Sequence, residues 1–271
     1  MDPLLKANLD HWNDLVAIHS RSRFYDLEGF KAGQSALDAL ELREVGEVRD
    51  KSLLHLQCHF GMSTLSWARM GARVTGVDFS DQAIALARSL AEELRLPAQF
   101  VCSDVYSVPQ ALAEQYDVVF TSYGVLCWLP DLARWGQVIA RMLKPGGAFH
   151  IIEFHPMLGA LDDTEGIQEI RLRYPYFERS EPMRWDEDGT FADLTAHVEH
   201  PVTFEWSHSL GEIVDALIQA GLRIERLREF PYCCFAFLPS LMEQRADGWY
   251  WLKEHSDSAP LMFSIKATRE T

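Results

Sequence analysis

Short apolar segments alternate with longer amphipathic stretches over most of the chain. Apolar runs of this length are typical of strands that are covered on both faces. The predicted strands are, in chain order, Ser52–Leu56, Arg73–Val77, Gln99–Cys102, Tyr116–Thr121 and Ala148–Phe154. Strands that alternate with helices in this way predict a parallel sheet covered by helices.

Apolar residues that recur three and four positions apart predict the helices. The first is expected over residues 3–20, where Trp12 and His19 share an apolar face with three aliphatic residues. The other helices before residue 150 are expected over residues 34–43, 62–70, 80–94 and 132–143.

The C-terminal part returns to regular structure at Ser209. Ser209 and Glu212 have the spacing of a capping box, so a helix is expected to begin there. Strands are predicted at Arg223–Glu229 and Leu261–Thr268 with no clear helical crossover between them, although residues 240–254 are expected to hold a short helix. A direct connection of this kind favours an antiparallel last strand.

Residues 155–208 interrupt the alternation and are rich in aromatic and charged side chains. This stretch is too long for a simple loop, so it is expected to form a cap with structure of its own. The chain is accordingly interpreted as one domain over residues 1–271. Its predicted parts are a helical lid (1–45), a ligand-binding core (46–154), the cap (155–208) and a C-terminal helix with two strands (209–271).

Charge and cysteine content narrow the class of partner. The 271 residues carry 40 acidic and 25 basic side chains, a formal net charge of −15. Such a surface repels phosphate backbones and anionic lipids, so neither nucleic acid nor membrane is expected as the main partner. Five irregularly spaced cysteines indicate reduced thiols in a cytoplasmic protein, and no pattern indicates a metal site.

One strand–turn–helix unit has the pattern of a nucleotide-binding site. A turn over Gln57–Gly61 follows the first strand, and Asp78 ends the second. The turn's backbone N–H groups attract an anion, and the acid can accept hydrogen bonds from ribose hydroxyls. Gln57 and His59 stand where glycines are usual, and their side chains would obstruct a pyrophosphate. The turn therefore favours S-adenosylmethionine over NAD or FAD.

A second candidate contact follows the third strand. The Asp104 carboxylate can meet the amino group of an adenine, and the backbone N–H of Val105 can meet a ring nitrogen. Asp104 could equally cap the turn that comes after it.

The run from Leu53 to Phe154 resembles a class I S-adenosylmethionine-dependent methyltransferase. LLHLQCHFG is similar to the first motif of that family, VTGVDFS to its acidic second strand, FVCSDV to its third, YDVVFTSYGVLCWLPD to its fourth and LKPGG to the turn before strand five. The resemblance implies an α/β fold with a doubly wound, seven-stranded, mostly parallel, Rossmann-like sheet and an antiparallel last strand. The sequence departs from the family at His55, where an acid is usual, and at Gln57 and His59.

The resemblance also implies a set of cofactor contacts. Gln57, Cys58, His59 and Gly61 would surround the methionine moiety and the adjoining ribose. Asp78 would bind the ribose hydroxyls with Phe79 against the adenine, and Asp104 and Val105 would bind the adenine edge. Ser122, Tyr123 and Gly124 would lie near the sulfonium.

The implied reaction is methyl transfer to a small-molecule acceptor by in-line displacement. His155 and Tyr123 follow strands five and four, so both belong at the carboxyl edge of the sheet and are candidate bases, with His155 preferred and Tyr123 second. His155 could instead be a hydrogen-bonded turn residue, and Glu153 could orient it or face solvent.

Two other functions stay open from the sequence. A NAD(P)-dependent oxidoreductase shares the acid after strand two but should carry a GxGxxG turn, which is missing. A non-catalytic, methyltransferase-like module would bind the cofactor without an acceptor pocket.

Overall fold

Twelve strands form a seven-stranded central sheet and two small ones in the computed structural model, which describes residues 2–270. The strands are β1 Ser52–Leu56, β2 Arg73–Asp78, β3 Ala98–Cys102, β4 Tyr116–Ser122, β5 Leu143–Phe154, β6 Met183–Asp186, β7 Val202–Glu205, β8 Leu222–Phe230, β9 Tyr232–Cys233, β10 Met242–Gln244, β11 Tyr250–Leu252 and β12 Met262–Arg269. The central sheet has the order β3-β2-β1-β4-β5-β12-β8.

Helices connect these strands. They are α1 Pro3–His19, α2 Leu27–Lys31, α3 Ala39–Val45, α4 Met62–Arg69, α5 Asp81–Glu93, α6 Val108–Ala111, α7 Leu132–Met142, α8 Pro156–Gly159 and α9 Leu210–Gln219. The capping box of Ser209 and Glu212 forms as predicted. The helix predicted over residues 34–43 lies further along the chain, as α3. It begins at Ala39 because Asp38 and Glu41 form a capping box, which the prediction did not include.

The predicted doubly wound fold is confirmed. Strands β3, β2, β1, β4 and β5 are parallel, and β12 is antiparallel to both β5 and β8. The strand order reverses between β1 and β4, which is where ligands bind in open sheets of this type.

Each face of the sheet is covered by a separate apolar layer. On one face Trp67 of α4 packs edge to face against Phe120, with ring centroids 5.6 Å apart. On the other, Trp135 of α7 packs against Phe149, at 5.5 Å. The register pairs Val119 with Phe149, so Phe120 points to the opposite side of the pleat. Burial on both faces explains why these strands are continuously apolar.

The segment between β5 and α9 contains the hairpin β6–β7, which binds the N-terminal helix. The Asn8 side chain of α1 donates to the Phe204 carbonyl and accepts from the Phe204 N–H, each over 2.8 Å. His11 and Asp14 add contacts to His200. The lid and the cap predicted from the sequence are therefore held together by buried and half-buried polar groups.

The prediction of a short helix within residues 240–254 is wrong. Strands β10 and β11 lie there instead and form a three-stranded antiparallel sheet with β9. Tyr250 and Trp251 are aromatic residues that favour strands, but three-residue strands show no periodicity from which to predict them. Among the described helices, none is both long enough and apolar enough to cross a membrane.

Candidate active site

A cavity of about 1410 Å³ opens at the carboxyl ends of the parallel strands. The turn after β1, the ends of β2 and β4, the start of the cap and the N-terminal helices all contribute to its walls. All of the predicted site residues line it except Gly61, which lies behind the turn. The predicted cofactor and catalytic residues are therefore brought to one place.

The turn after β1 keeps the backbone shape of a glycine-rich turn without most of the glycines. Gln57 and His59 have φ values of 55° and 49°, and Gly61 has 78°. These values lie in the left-handed region, which residues other than glycine adopt only at some energetic cost. The two side chains that replace glycine thus occupy strained positions beside the cavity.

Gly61 is required for packing. It is the N-cap of α4, and a Cβ added there would lie 2.6 Å from a ring carbon of Phe100. No such contact is tolerated unless the Phe100 ring moves. Gly61 therefore allows the helix to pack closely on the sheet, behind the ligand-facing part of the turn.

Asp78 joins this turn to the end of β2. One carboxylate oxygen accepts from the His59 N–H over 2.8 Å, and the other accepts from the Ser80 N–H over 2.9 Å. Burial raises the pKa of Asp78 to about 6, and the backbone hydrogen bonds oppose that rise. Each carboxylate oxygen can accept a further hydrogen bond, so the side chain can still bind hydroxyls.

Asp104 caps the 3-10 turn Val105–Ser107. Its Oδ1 accepts from the N–H groups of Tyr106 and Ser107, over 3.0 and 3.1 Å. Both bonds use the same oxygen, and Asp104, Val105 and Phe79 line the cavity. The capping interpretation is therefore confirmed, and it leaves Oδ2 available to a ligand.

Glu153 organises the loop after β4. Its buried carboxylate accepts hydrogen bonds from the N–H groups of Gly124, Val125 and Leu126, with 2.7 Å to Val125. Burial raises its pKa. The sequence left two roles open for Glu153, to orient His155 or to face solvent, and the structure shows neither. Glu153 instead holds the loop that carries Tyr123 and Gly124.

The loop that carries Tyr123 meets the start of α3 in a polar wall of the cavity. The Tyr123 hydroxyl donates to Asp38, the N-cap of α3, over 2.5 Å. Glu41 is buried at the same helix end and accepts from the Asp38 N–H. Burial and the nearby Asp38 charge raise the pKa of Glu41 to about 8, although the Ser122 hydroxyl partly offsets this. Neither acid was singled out from the sequence.

His155 is buried, and its Nδ1 is hydrogen-bonded while Nε2 only lies close to a carboxylate. Nδ1 accepts from the Met157 N–H over 3.0 Å and thereby caps α8, while Nε2 lies 2.9 Å from Glu229. Burial lowers the pKa of His155, and Glu229 opposes this. Proton abstraction by His155 would require one of these contacts to open.

Aromatic side chains of the N-terminal segment close over the turn. The rings of Trp12 and His59 meet edge to face with their centroids 5.3 Å apart, and the ring centroids of Tyr25 and Phe60 are 4.9 Å apart. His19 Nδ1 lies 3.0 Å from His59 Nε2. Tyr25 is half-buried, and desolvation raises the pKa of its hydroxyl. These residues exclude water from the turn side of the cavity.

The comparisons with known proteins agree with this geometry. The family model described as a methyltransferase domain matches residues 54–151. The ubiquinone biosynthesis O-methyltransferase of Serratia proteamaculans is 33% identical over 144 residues, which are 52% of this chain and 59% of that protein. That of Proteus mirabilis is 32% identical over 148 residues, 53% of this chain and 60% of that protein. The match thus spans about three fifths of the length of these curated relatives.

Solved structures show the same fold. An S-adenosylmethionine-dependent methyltransferase from Mesorhizobium loti covers 88% of this chain and 100% of its own, with a TM-score of 0.59 and 22% identity. The glycopeptide N-methyltransferase MtfA, crystallised with S-adenosylmethionine, covers 84% of this chain and 90% of its own, with a TM-score of 0.54 and 17% identity. Residues 54–151 therefore match a methyltransferase domain, and the chain has the fold of these S-adenosylmethionine-dependent methyltransferases.

Proposed function

We propose that the chain binds S-adenosylmethionine and transfers its methyl group to a small-molecule acceptor. The observation that carries the proposal is the single cavity that connects the turn after β1 and Asp78 with the wall formed by Tyr123 and Asp38. Its volume of about 1410 Å³ exceeds the roughly 300–1,000 Å³ that is usual for one ligand. There is room for a cofactor and an acceptor side by side.

The residues present fit this cofactor. Asp78 would hold the ribose hydroxyls, and Phe79, Asp104 and Val105 would contact the adenine. Near the turn, Gln57, Cys58 and His59 line the cavity and would contact the amino-acid end of the cofactor. Ser122, Tyr123 and Gly124 would surround the sulfonium at the end of β4.

The cofactor would supply an electrophilic methyl group, and the protein's task is then mainly positioning. Glu153 holds the Gly124–Leu126 loop in one conformation, so the end of β4 presents a fixed surface. Trp12, Tyr25 and the cap exclude water, which protects a reactive methyl donor from hydrolysis.

The charge of the cavity supports a neutral or cationic acceptor. Ten aspartates and glutamates line it, and Arg134 is the one lysine or arginine among the lining residues of the described chain. Arg134 stacks on Tyr106, 4.7 Å from the ring centroid. Tyr106 follows Asp104 and Val105, the proposed adenine contacts, so Arg134 lies on the adenine side of the cavity. An acceptor with a phosphate or carboxylate group would find no cation to balance its charge near Tyr123.

Of the two predicted bases, Tyr123 is the one that we favour. Its hydroxyl lies on the cavity wall, and its proton already points at Asp38. As the acceptor atom bonds to the methyl carbon, the sulfur keeps the electron pair of the broken bond. The acceptor's proton would pass to the Tyr123 oxygen while the tyrosine proton passes to Asp38.

Two measurements test the proposal. Isothermal titration calorimetry with S-adenosylhomocysteine and with NAD should show micromolar binding of the first and hardly any of the second. Transfer of radiolabelled methyl groups to a panel of phenols and amines, with matched carboxylates, should then identify the acceptor class. Equal or tighter binding of NAD would favour an oxidoreductase. Cofactor binding without transfer to any compound would favour a non-catalytic module. No disulfide joins the five cysteines within residues 2–270, which supports a reducing, cytoplasmic compartment.

A further inference from the structure

The β6–β7 hairpin of the cap turns one of its two faces to the cavity. Side chains alternate between the faces of a strand, so every second residue points to the same side. Four residues that share one face of the paired strands all line the cavity: Met183, Trp185, Thr203 and Glu205. Arg184, on the other face, is exposed and does not line it. The inner face of the hairpin, defined by those four residues, is therefore a wall of the cavity.

This inner face reaches the loop after β4, where the methyl group would be delivered. The backbone N–H of Trp206, next to Glu205, donates to the carbonyl of Cys127 over 2.8 Å. Cys127 lies three positions after Gly124, in the loop whose start is held by Glu153. Burial raises the pKa of the Cys127 thiol, and the nearby Glu205 charge adds to that rise. The Glu205 carboxylate therefore lies close to the transfer site proposed at the end of β4.

Glu205 is an enclosed acid without a counter-ion. Burial raises the pKa of Glu205 to about 7; the Trp185 indole opposes this rise, and the charges of Glu187 and Asp163 add to it. Both of these acids line the cavity, where they are more exposed than Glu205. Within residues 2–270, no basic side chain is among the groups that shift the pKa of Glu205. Arg173 of the cap is exposed and pairs with another acid. A cationic ligand would supply the missing charge and favour the ionised carboxylate.

Aromatic rings stand beside this acid. The rings of Trp185 and Tyr174 meet edge to face with their centroids 5.1 Å apart, and both residues line the cavity together with Trp206. The Tyr174 hydroxyl donates to Asp163 over 2.8 Å, which holds the ring next to the acids. The face of an aromatic ring attracts a cation, most strongly for tryptophan and where water is excluded. Rings and an uncompensated carboxylate in one wall favour an ammonium group as the ligand.

We propose that the inner face of the hairpin binds an ammonium group of the acceptor, with Glu205 as its counter-ion and Trp185 and Tyr174 as aromatic contacts. The inference rests on the proposed function and names the acceptor class. An ammonium nitrogen has no free electron pair, so the group held by Glu205 is not the atom that receives the methyl group. The acceptor is therefore an amine that also carries a separate nucleophile, a hydroxyl or an unprotonated amine, which faces the cofactor near Tyr123.

Three phenols that differ at one end test this by calorimetry near neutral pH, with saturating S-adenosylhomocysteine present. Tyramine carries an ammonium, tyrosol has a hydroxyl in its place, and 3-(4-hydroxyphenyl)propanoate has a carboxylate. Tyramine should bind about tenfold or more tightly than tyrosol, because it alone forms a hydrogen bond between two charged groups. The carboxylate should bind more weakly than either, because the acids of the cavity repel it.

Substitutions on the two faces of the hairpin locate the effect. Glu205→Gln keeps the shape of the side chain and removes its charge, so the preference for tyramine should fall to less than about twofold, with S-adenosylhomocysteine affinity retained. Asp186→Asn is the matched control, because it removes the same charge from the exposed face of the hairpin and should retain the preference. Trp185→Leu should weaken tyramine binding more than tyrosol binding, whereas Trp185→Phe keeps a ring face and should retain most of the difference.

Equal affinity of the wild-type protein for tyramine and tyrosol would overturn the inference, and so would an undiminished preference in Glu205→Gln. Equal loss of affinity for both phenols in Glu205→Gln would mean that Glu205 only supports the cap, which also overturns it. Binding of S-adenosylhomocysteine without measurable binding of tyramine would reject the ammonium site and leave the cofactor assignment standing. A wild-type protein that does not bind S-adenosylhomocysteine would instead reject the proposed function.

Discussion

The Asp78 carboxylate accepts a hydrogen bond from the backbone N–H of His59 over 2.8 Å, so the acid of β2 also holds the turn after β1. The second carboxylate oxygen holds Ser80 at the start of α5. The proposed ribose ligand and an anchor of the local fold are therefore the same side chain. This double role changes what a substitution at Asp78 is expected to do.

Asp78→Ala should weaken S-adenosylhomocysteine binding by about tenfold or more, since a charged acceptor for hydroxyls is lost. It should also lower the free energy of unfolding by about 1–3 kcal/mol, because two N–H groups lose their acceptor. Calorimetry and urea unfolding measure the two effects. Asp104→Ala is the control and should weaken binding less, because the Val105 N–H remains. An Asp78→Ala variant that binds like the wild type would exclude Asp78 as a ribose ligand.

Gly61→Ala should destabilise the protein through packing. The new Cβ would lie 2.6 Å from Phe100, and the residue would keep a φ of 78°, so a loss of about 1–3 kcal/mol is expected in urea unfolding. Gly211→Ala is the matched control, because its nearest neighbour atom lies at 3.8 Å, within a helix. That variant should be neutral or slightly more stable. Equal stability of the two variants would contradict the close packing of α4 against β3.

The sheet and its nucleotide-binding edge could be predicted because their signals are local. Ser52–Leu56 matches β1 residue for residue, and Asp78 ends β2 as expected. The turn after β1 and the LKPGG segment have fixed spacings along the chain. Such features need no knowledge of what packs against them.

The polar walls could not be predicted because they depend on contacts between distant residues. Tyr123 meets Asp38 across 85 positions, and His19 meets His59 across 40. The spacing of Asp38 and Glu41 matches a capping box, which was the one local signal available for α3. A capping box predicts a helix start, but it does not predict that the acids face a ligand cavity. Glu153 gave no local signal of its backbone partners either.

The burial of Glu41 predicts an unusual pH dependence of stability. Its pKa rises from an ordinary 4.5 to about 8 on folding, so between these values the folded state holds more protons than the unfolded state. This contribution is fully present below about pH 4.5 and is lost as the pH rises through about 8. Wild-type stability should therefore fall relative to Glu41→Gln over this window, by at most about 1.4 kcal/mol per pH unit. Urea unfolding of both proteins across the window measures the difference, and parallel curves would contradict a protonated Glu41.

His155 can be tested with two substitutions that separate a base from a helix cap. His155→Ala removes the acceptor for the Met157 N–H and the contact with Glu229, whereas His155→Asn restores a side-chain oxygen that caps helices well. A general base contributes about 10²–10⁴-fold to turnover, and asparagine cannot replace it. Nδ1 of His155 is engaged as the cap and Nε2 lies against Glu229, so we expect His155→Asn to retain most of the wild-type turnover and thermal stability, with His155→Ala reduced in both.

The measurement is the rate of methyl transfer to the acceptor found in the panel, alongside S-adenosylhomocysteine affinity and a melting curve for each variant. Unchanged affinity for S-adenosylhomocysteine would show that the cofactor site at the ends of β1 and β2 is intact in both variants. If His155→Asn melts like the wild type yet turns over as slowly as His155→Ala, the cap is intact and the missing property is proton transfer. That result would reinstate His155 as the base in place of Tyr123. It would also require the His155 ring to move away from Met157 or Glu229 during turnover, because Nδ1 is hydrogen-bonded and Nε2 lies 2.9 Å from the Glu229 carboxylate.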